Sequence, residues 1–333
     1  MNGCGRMKVV TGASGHLGNV LVRELLTRQE KVRVVILPND PASSLADLDV
    51  EKVVADVRNV ESLKLAFQNA DTVFHLAGIV SVMPGQRDLM HQVNVGGTAN
   101  VIEACLSQEV RRLVHTSSVH ALVEPPAGVA LSEAYPFDPE RVYGDYGKTK
   151  AQASLAVLAA VNRGLDAVIA CPSGIIGPYD FEPSIVGRLL YNAARGKLGA
   201  YVRGGYDFVD VRDVAQGLIA ACNQGRTGET YILSGEYVTI REVTQIVDSL
   251  VGKQRVRLCV PFPLALFASR IAERMQLLGS GGAHFTQQSL YVLQSNGLIS
   301  HARASNELGY QPRPIQESIR ATIEWFRAVG ILA

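Results

Sequence analysis

Short runs of β-branched and other apolar residues recur along the first half of the chain, and segments of helical length separate most of them. The runs cover residues 7–12, 32–37, 50–56, 71–78, 111–118 and 166–172. Such runs are typical of buried strands, and their alternation with helical segments predicts a parallel sheet that has helices on both faces. The pattern therefore predicts the α/β class, with a doubly wound parallel sheet.

The segment that starts at Leu17 has the periodicity of a helix, with apolar residues on one side and charged residues free to face water. After Pro172 the rhythm changes, because prolines, glycines and tyrosines cluster over 174–206. We therefore predict a first domain over 7–172 and a smaller C-terminal lobe mainly over 173–333. Residues 207–235 are expected to pack back onto the first domain.

Composition limits the partners of the protein. The 333 residues are 47% hydrophobic, which is enough to bury a large core. The 32 basic and 31 acidic residues leave a formal charge of +1, so no general field attracts nucleic acid or an anionic membrane. Small molecules are the expected partners.

Five scattered cysteines without a CxxC pair indicate neither a disulfide framework nor a zinc site. A reducing cytoplasm fits this pattern, and the N-terminal residues contain no signal-like apolar region. The apolar stretch 261–278 is interrupted by Arg270, Glu273 and Arg274, so no membrane span is expected.

A glycine-rich turn follows the first predicted strand directly. Gly12, Gly15 and Gly18 are spaced for a tight turn, for close approach by a phosphate and for close packing of the next helix. The N-terminus of that helix presents backbone donors and a positive dipole to a pyrophosphate. The alternative is a plain strand-to-helix turn. Further candidates for cofactor contact within this turn are Ser14, His16 and Leu17.

Two polar residues at the ends of predicted strands have competing interpretations. Asp56 either accepts a hydrogen bond from an adenine amino group or caps the helix that follows Val57. His75 is interpreted as a packed strand-end residue, because no second His, Cys or carboxylate stands at metal-ligand spacing. No metal site is predicted.

The stretch RVYGDYGKTKAQ, residues 141–152, contains two tyrosines and two lysines. Tyr146 and Lys150 are four residues apart and share a helix face, whereas Tyr143 has Gly147 at that spacing. The pair lies between the fifth and sixth predicted strands. Ser118 ends the fifth strand, at the edge where open parallel sheets bind ligands, and its hydroxyl can polarise a carbonyl.

Proton exchange near neutral pH requires the pKa of a tyrosine to fall by ~3 units from ~10. A lysine charge ~4 Å away supplies about that much at an effective dielectric constant of ~20, but far less in bulk water. We therefore expect Lys150 to lower the pKa of Tyr146 inside a partly desolvated cleft. The alternative is a surface helix pair that contributes only ~0.2 to 0.5 kcal/mol.

The chain resembles the extended branch of the short-chain dehydrogenase/reductase superfamily over nearly its whole length. TGASGHLG, ADVRN, HLAG, NVGGTANV, HTSS, YGKTK, CPSGIIGP, FVDVRDVA and ELGYQP occur in the order typical of that branch. The likeness to dihydroflavonol-reductase-like and hydroxysteroid-dehydrogenase-like members is greatest across PSGIIGPYDFEPS and GAYVRGGYDFVDVRDVA. It implies a Rossmann fold in the first domain, with dinucleotide binding there and substrate binding in the second lobe.

The resemblance also implies roles for individual residues. Tyr146 is the expected acid/base, Lys150 its electrostatic partner and ribose binder, and Ser118 the donor to the substrate carbonyl. The three glycines are expected to hold the pyrophosphate. The remaining candidates for cofactor contact are Asp56 and Val57 at the adenine, Leu76, Ala77 and Gly78 at the nicotinamide, and, less specifically, Asn94, Pro172 and Ile175.

Two departures from the family pattern affect cofactor and substrate. Ile36 and Leu37 stand where NAD-using members often have Asp and NADP-using reductases often have Arg. We therefore lean to NADP over NAD, because no acid there repels a 2′-phosphate and Arg33 or another basic residue can approach it. Strong preference for NAD would direct attention to Asn39 or Asp40 instead. The continuation VHALVEPP after Ser118 also differs from the VYG-like continuation of sugar-nucleotide epimerases.

The predicted function is an NAD(P)-dependent oxidoreductase that acts on a carbonyl or secondary alcohol. The alternatives are an epimerase or dehydratase that returns the hydride to the same substrate, and a non-catalytic dinucleotide sensor. Apolar residues of the second lobe either line a cleft for a hydrophobic or aromatic substrate or form core, and exposed Arg188 and Arg203 are candidates for an anionic group. The oligomeric state stays open, with a homodimer among the options. The apolar residues in question are Ile175, Ile176, Tyr179, Phe181, Leu189, Leu190 and Tyr191.

Overall fold

The computed structural model describes residues 6–81, 86–277 and 287–332, and strands of three to six residues run through most of these ranges. The strands are β1 (Met7–Thr11), β2 (Lys31–Ile36), β3 (Glu51–Val54), β4 (Ala70–His75), β5 (Arg112–Thr116), β6 (Ala167–Pro172), β7 (Gly174–Ile176), β8 (Ala200–Val202), β9 (Gly205–Asp210), β10 (Thr230–Leu233), β11 (Glu236–Thr239) and β12 (Leu258–Val260).

Helices connect most of the strands. They are α1 (His16–Thr27), α2 (Val60–Ala66), α3 (Arg87–Met90), α4 (Gly97–Ser107), α5 (Gly144–Val161), α6 (Ile185–Ala194), α7 (Val211–Gln224), α8 (Ile240–Leu250), α9 (Phe262–Leu277), α10 (Gln287–Gln294), α11 (Ala302–Leu308) and α12 (Ile315–Ala328). A π-helical segment, His91–Gly96, joins α3 to α4. None of the described helices is long and apolar enough to cross a bilayer.

Seven strands form one parallel sheet in the order β3, β2, β1, β4, β5, β6, β10. The chain order reverses between β1 and β4, so a crevice opens beyond the carboxyl ends of these strands, where ligands bind in such sheets. All six predicted strands are present, and the predicted doubly wound Rossmann fold is confirmed. Strand β10 extends the sheet next to β6.

Several strands end earlier than their apolar runs. The run 71–78 is a strand only to His75, and the run 111–118 only to Thr116. The residues that follow leave the ladder at the carboxyl edge of the sheet, where their side chains and backbone surround the crevice. The apolar pattern does not mark these ends, because the residues stay partly buried after the ladder stops.

Two hydrophobic clusters cover the two faces of the large sheet. Helix α1 buries Val20, Leu21 and Leu25 against one face, as its periodicity predicts, together with residues of α7. Helices α2, α4 and α5 cover the other face. Burial of apolar surface contributes ~25 cal/mol per Å². The packing of helices on both faces of the sheet therefore stabilises the strands that form the crevice.

A third cluster forms the core of the smaller lobe, around the sheet β11–β9–β7 and helices α6, α8 and α12. Ile176 and Leu190 are fully buried in it, and Leu189 and Tyr191 pack against it. Phe181 packs edge-on to Trp325, with 5.2 Å between ring centroids. The core interpretation therefore fits Ile176, Leu189, Leu190 and Tyr191, whereas Phe181 is 39% exposed and lies outside the core clusters.

Candidate active site

The three glycines of the turn between β1 and α1 differ in how much space the structure leaves for a side chain. Gly12 has a φ of +71°, and a Cβ there would lie 2.7 Å from the backbone nitrogen of Ala77. A Cβ on Gly18 would lie 2.1 Å from the carbonyl oxygen of Gly12, so close helix packing excludes one. A Cβ on Gly15 would meet only that same carbonyl oxygen, at 3.4 Å. The protein's own packing therefore does not require glycine at position 15, and the open space there suits a phosphate.

Gly15 is the N-cap of α1 and contributes no side-chain cap. The first N–H groups of a helix have no partner within the helix, and the dipole favours an anion beside them. The structure thus provides a helix N-terminus with open space above it, which fits a dinucleotide pyrophosphate.

The connection after β2 folds onto the glycine turn. The hydroxyl of Ser14 donates to Oδ2 of Asp40 at 2.5 Å, and Oδ1 of Asp40 accepts from the backbone N–H of Ala42 at 2.7 Å. The hydroxyl of Ser44 donates to the carbonyl oxygen of Ser14 at 3.0 Å. A carboxylate therefore lies at the glycine turn, although the end of β2 itself carries Ile36 and the exposed Leu37.

Arg33 does not reach this region. Its Nη1 donates to the carbonyl oxygens of Ala66 and Gln68 at 2.8 and 2.7 Å, and its Nε lies 2.9 Å from Glu51. The idea that Arg33 approaches a 2′-phosphate is wrong, because these contacts hold the guanidinium elsewhere. One ground for the lean to NADP is thereby removed, whereas the other, the lack of an acidic residue at Ile36 and Leu37, is unchanged.

Asp56 follows β3, and neither of its predicted roles is seen directly. Helix α2 is capped by Asn59, which accepts from the N–H of Ser62, so the prediction that Asp56 caps this helix is wrong. The carboxylate of Asp56 accepts from the guanidinium of Arg58, with Nη2 at 2.5 Å. This hydrogen bond is the main cause that lowers the pKa of Asp56. Val57 is buried beside it.

His75 is a packed strand-end residue, as predicted. Its Nδ1 lies 2.8 Å from the hydroxyl of Thr11, which accepts from the N–H of Ala77, and its Nε2 lies 3.0 Å from the hydroxyl of Thr98. Since Thr98 donates its own proton to the carbonyl of Asn94, it accepts from His75. Burial lowers the pKa of His75 to about 3, so the ring is neutral. It fixes the backbone at Ala77 beside the glycine turn.

Asn94 holds the next residues of that segment. Its Oδ1 accepts from the N–H of Ile79 at 2.8 Å, and its Nδ2 donates to the carbonyl of Ile79 at 3.0 Å and to the hydroxyl of Thr149 at 3.1 Å. A Cβ on Gly78 would lie 3.2 Å from Oδ1 of Asn94 and 4.0 Å from Nζ of Lys150. The predicted nicotinamide segment and the predicted catalytic helix are therefore adjacent.

Ser118, Tyr146 and Lys150 meet at the carboxyl end of β5. Tyr146 and Lys150 lie on α5, which begins at Gly144, and Ser118 caps the short turn after β5 by accepting from the N–H of His120 at 3.2 Å. Nζ of Lys150 donates to the carbonyl oxygen of Thr116 at 2.6 Å. Lys150 is buried and Tyr146 half-buried, so the pair lies in a partly desolvated site.

The pKa values differ from the expectation. Burial raises the pKa of Tyr146 to about 12, and a hydrogen bond with Ser118 opposes this only in part. Burial lowers the pKa of Lys150 to about 8. The expectation that Lys150 lowers the pKa of Tyr146 is wrong in this structure, where the ammonium bonds to Thr116. Tyr146 holds its proton at neutral pH, and Lys150 stays mainly charged.

Two residues near Tyr146 were not predicted from sequence. The ring of His120 lies edge-on to that of Tyr146, with centroids 6.5 Å apart, and stacks on Tyr206 at 5.5 Å. The hydroxyl of Tyr206 lies 2.8 Å from Nε2 of His120. Burial lowers the pKa of His120 to about 4, so the ring is neutral at physiological pH. Both residues are absent from the predicted set because they are 86 positions apart in the chain.

Tyr143 lies outside this arrangement. It is half exposed and stacks on Tyr291 of α10, with ring centroids 3.8 Å apart. Helix α10 thus lies against the N-terminal end of α5, close to Tyr146. Tyr143 has an aromatic partner of its own, which agrees with the choice of Tyr146 as the partner of Lys150 by helical spacing.

The remaining candidates lie around the crevice. His16 begins α1, and its Nε2 lies 3.0 Å from the carbonyl oxygen of Pro178 in the second lobe. Pro172 ends β6, and Ile175 of β7 packs against the cluster that contains α1. Leu17 and Leu76 are partly buried against the same cluster. Among the described residues, no group of His, Cys, Asp or Glu is placed to hold a metal ion.

Comparison with known proteins places this site in a family context. The model of the NAD dependent epimerase/dehydratase family matches residues 8–234, which include the glycine turn, Ser118, Tyr146 and Lys150. Sterol demethylase protein B of Methylococcus capsulatus is 35% identical over 97% of this chain and 99% of its own. The 3beta-hydroxysteroid-dehydrogenase/decarboxylase isoform 1 of Arabidopsis thaliana is 30% identical over 96% of this chain and 80% of its own.

A solved structure confirms the fold. The crystal structure of gox2253 superposes with a TM-score of 0.87 at 29% sequence identity, and the match covers 98% of this chain and 100% of that one. The predicted resemblance to the extended short-chain dehydrogenase/reductase branch, including its hydroxysteroid-dehydrogenase-like members, is confirmed.

Proposed function

The chain belongs to the NAD dependent epimerase/dehydratase family, and from that premise we propose that it oxidises and reduces a hydrophobic secondary alcohol and its ketone with NAD(H). The observation that carries the proposal is the meeting of Ser118, Tyr146 and Lys150 beside Gly78, across the crevice from the glycine turn. A sterol or another polycyclic compound is the proposed substrate class, in line with the names of the two relatives.

The residues present fit a dinucleotide. Gly15 leaves space at the N-terminus of α1 for the pyrophosphate, and Gly78 leaves space next to Lys150. When bound, the nicotinamide donates or accepts the hydride. Lys150 is proposed to bind the ribose hydroxyls through its ammonium, which is held at the carbonyl of Thr116.

Tyr146 and Ser118 are proposed to act on the substrate. The hydroxyl of Ser118 donates to the carbonyl oxygen and orients it, while Tyr146 gives its proton to the same oxygen as reduction proceeds. The raised pKa of Tyr146, about 12, keeps that proton in place at neutral pH. In the reverse direction Tyr146 removes the alcohol proton, which becomes easier as pH rises.

The preference for NAD(H) is proposed from the carboxylate at the glycine turn. Asp40 reaches Ser14 and is available to accept from a ribose 2′-hydroxyl, and its charge repels a 2′-phosphate. Asp40 is one of the two substitutes that the sequence pointed to for this contact. Arg33, a basic residue suggested for contact with a 2′-phosphate, is bound elsewhere.

The environment of Tyr146 supports a hydrophobic substrate. The neutral rings of His120 and Tyr206 lie on one side of it, and the stacked pair Tyr143 and Tyr291 lies near the start of the same helix. Aromatic side chains near the proton donor favour an apolar ring system over a phosphorylated sugar.

A turnover screen tests the proposal. Purified protein is mixed with NADH or NADPH and a panel of sterol ketones, aromatic ketones and nucleotide sugars, and the oxidation of the free reduced cofactor is followed by absorbance. The proposal expects net oxidation of NADH by at least one hydrophobic ketone. Conversion of a nucleotide sugar without net change in free cofactor would favour the epimerase or dehydratase alternative. Dinucleotide binding without turnover of any compound would favour the sensor.

A further inference from the structure

Helix α9 exposes one apolar face, although its opposite side packs on the protein. Leu264 and Phe267 are 61% and 65% exposed, and Ile271 is 47% exposed. These positions are spaced three and four residues apart, so they share one face of the helix. Ser269 is 2% exposed and donates to the carbonyl of Leu266. The face that carries these three residues thus points away from the protein, while Ser269 and the partly buried Phe262 and Leu266 lie on the other side of the helix.

The segment that directly precedes α9 in the chain also exposes apolar residues. Val256 and Leu258 are 97% and 73% exposed, and β12, which contains Leu258, leads into α9 through Pro261 alone. We call residues 256–271 the apolar segment. Large apolar residues exposed singly are normal, but five within sixteen positions form a patch of the kind that marks an interaction site.

The charged residues from 253 to 270 along the chain are all basic. The sequence contains no Asp or Glu between Asp248 and Glu273, whereas it contains Lys253, Arg255, Arg257 and Arg270. Arg255 and Arg257 pair with Asp248. Lys253 and Arg270 are exposed, one just before the apolar segment and one within it. A surface of exposed apolar residues flanked by cations complements a layer of anionic phospholipid headgroups above acyl chains.

The apolar segment is connected to the catalytic helix. Helix α9 packs on α10, and Tyr291 of α10 stacks on Tyr143, which precedes the catalytic helix α5. A surface that lay on a bilayer through α9 would therefore hold the N-terminal end of α5, and Tyr146 with it, near that bilayer. This arrangement suits uptake of a compound that partitions into lipid.

We propose that the apolar segment docks the protein on the surface of an anionic phospholipid membrane. No helix crosses the bilayer in this proposal, because α9 lies in the plane of the interface with Leu264, Phe267 and Ile271 toward the acyl chains. The proposal departs from the expectation, drawn from the net charge of the whole chain, that a membrane is not a partner. It does not depend on the proposed reaction, since binding to lipid is measured without turnover.

Vesicle sedimentation tests the proposal with the full-length protein. Parent protein is spun with vesicles of phosphatidylcholine alone and with vesicles that also contain phosphatidylglycerol. We expect binding to the anionic vesicles at least ~10-fold tighter than to the neutral ones, and weakening of the former as salt is raised. Failure to sediment with either vesicle would overturn the proposal.

Matched variants locate the binding surface. Phe267→Glu should reduce binding to anionic vesicles at least ~10-fold, because it places a charge on the face that enters the lipid. Leu65→Glu on α2 is the control, since Leu65 is also 65% exposed; it should bind as the parent does. Equal binding by Phe267→Glu and the parent would overturn the proposal, provided that thermal melting shows both folded.

The alternative is that the apolar segment binds a second copy of the chain and not a membrane. Light scattering after size-exclusion chromatography separates the two cases. If the parent is a dimer and Phe267→Glu is a monomer, the apolar segment is an interface between copies and the membrane proposal fails. An unchanged oligomeric state, together with lost vesicle binding, supports it.

Discussion

The hydroxyl of Ser14 donates a hydrogen bond of 2.5 Å to the carboxylate of Asp40, across 26 positions of the chain. This contact places a negative charge at the glycine turn, although neither Ile36 nor Leu37 at the end of β2 carries one. Under the proposal for NAD(H), this carboxylate accepts from the ribose next to the adenine.

The first prediction concerns cofactor choice. The parent should use NAD(H) more efficiently than NADP(H), and Asp40→Asn should narrow the ratio of their kcat/KM values about 10-fold, because it removes the repulsion of a 2′-phosphate, worth about 1.4 kcal/mol for that change. Asp49→Asn is the control, since Asp49 is an exposed carboxylate of the same connection. Equal ratios in Asp40→Asn and the parent would remove Asp40 from the cofactor site.

The second prediction separates two glycines of the turn. Gly15→Val should leave the protein folded and weaken NAD(H) binding at least ~10-fold, because its side chain enters the space assigned to the phosphate. Gly18→Ala should lower the melting temperature itself, since its Cβ would lie 2.1 Å from the carbonyl oxygen of Gly12. Calorimetric melting and cofactor titration measure the two effects. Unchanged cofactor affinity in folded Gly15→Val would contradict the phosphate assignment.

Local sequence predicted the parts of the site that depend on local geometry. The glycine turn follows a strand and opens a helix, and the spacing of four between Tyr146 and Lys150 fixes a shared helix face, so both could be recognised within a dozen residues. The strands of the large sheet were predicted for the same reason. The ends of the strands could not be predicted in this way, because the residues after His75 stay partly buried although they no longer pair with a neighbouring strand.

Contacts between distant segments could not be predicted in this way. Asp40 reaches Ser14 because the whole connection after β2 folds back, and His120 meets Tyr206 because β9 of the second lobe lies against the turn after β5. The pKa of Tyr146 also depends on which partner Lys150 finds. Its ammonium donates a hydrogen bond to the carbonyl oxygen of Thr116. A backbone acceptor of this kind cannot be recognised from the pattern of side chains.

The third prediction concerns Tyr206 and His120. Tyr206→Phe keeps the stacking of the two rings but removes the hydroxyl that lies 2.8 Å from Nε2 of His120. Because this contact holds His120 edge-on to Tyr146, the proposed proton donor, we expect KM for the substrate to rise several-fold with little change in cofactor Kd. Tyr201→Phe, in β8 of the same lobe, should resemble the parent. A change in cofactor Kd without a change in KM would contradict this role.

The fourth prediction tests the proton donor. Tyr146→Phe should reduce turnover by ~10² to 10⁴, the usual loss for a general acid, and leave cofactor binding nearly intact because ring packing is kept. Tyr143→Phe is the control, since its ring can still stack on Tyr291, and it should change turnover little. Parental turnover in Tyr146→Phe, on a substrate that the parent converts, would show that another group transfers the proton.

The fifth prediction concerns pH and follows from the pKa values of about 12 for Tyr146 and about 8 for Lys150. Alcohol oxidation requires the deprotonated phenol, so its kcat/KM should rise almost tenfold per pH unit from about pH 6 to about pH 8. Ketone reduction requires the protonated phenol, which dominates over that whole range, so its rate should stay nearly flat there.

Above about pH 8 Lys150 loses its proton, and the positive charge that is proposed to bind the ribose goes with it. The rise in oxidation rate should therefore flatten above this pH in the parent. Lys150→Arg keeps a charge throughout, because arginine does not deprotonate in this range, and in that variant the rise should continue even if the maximal rate is lower. Steady-state kinetics in both directions on one alcohol and its ketone provide the measurement. An oxidation rate independent of pH in the parent would mean that Tyr146 is not the base, whereas flattening at the same pH in Lys150→Arg would assign the upper limit to a group other than Lys150.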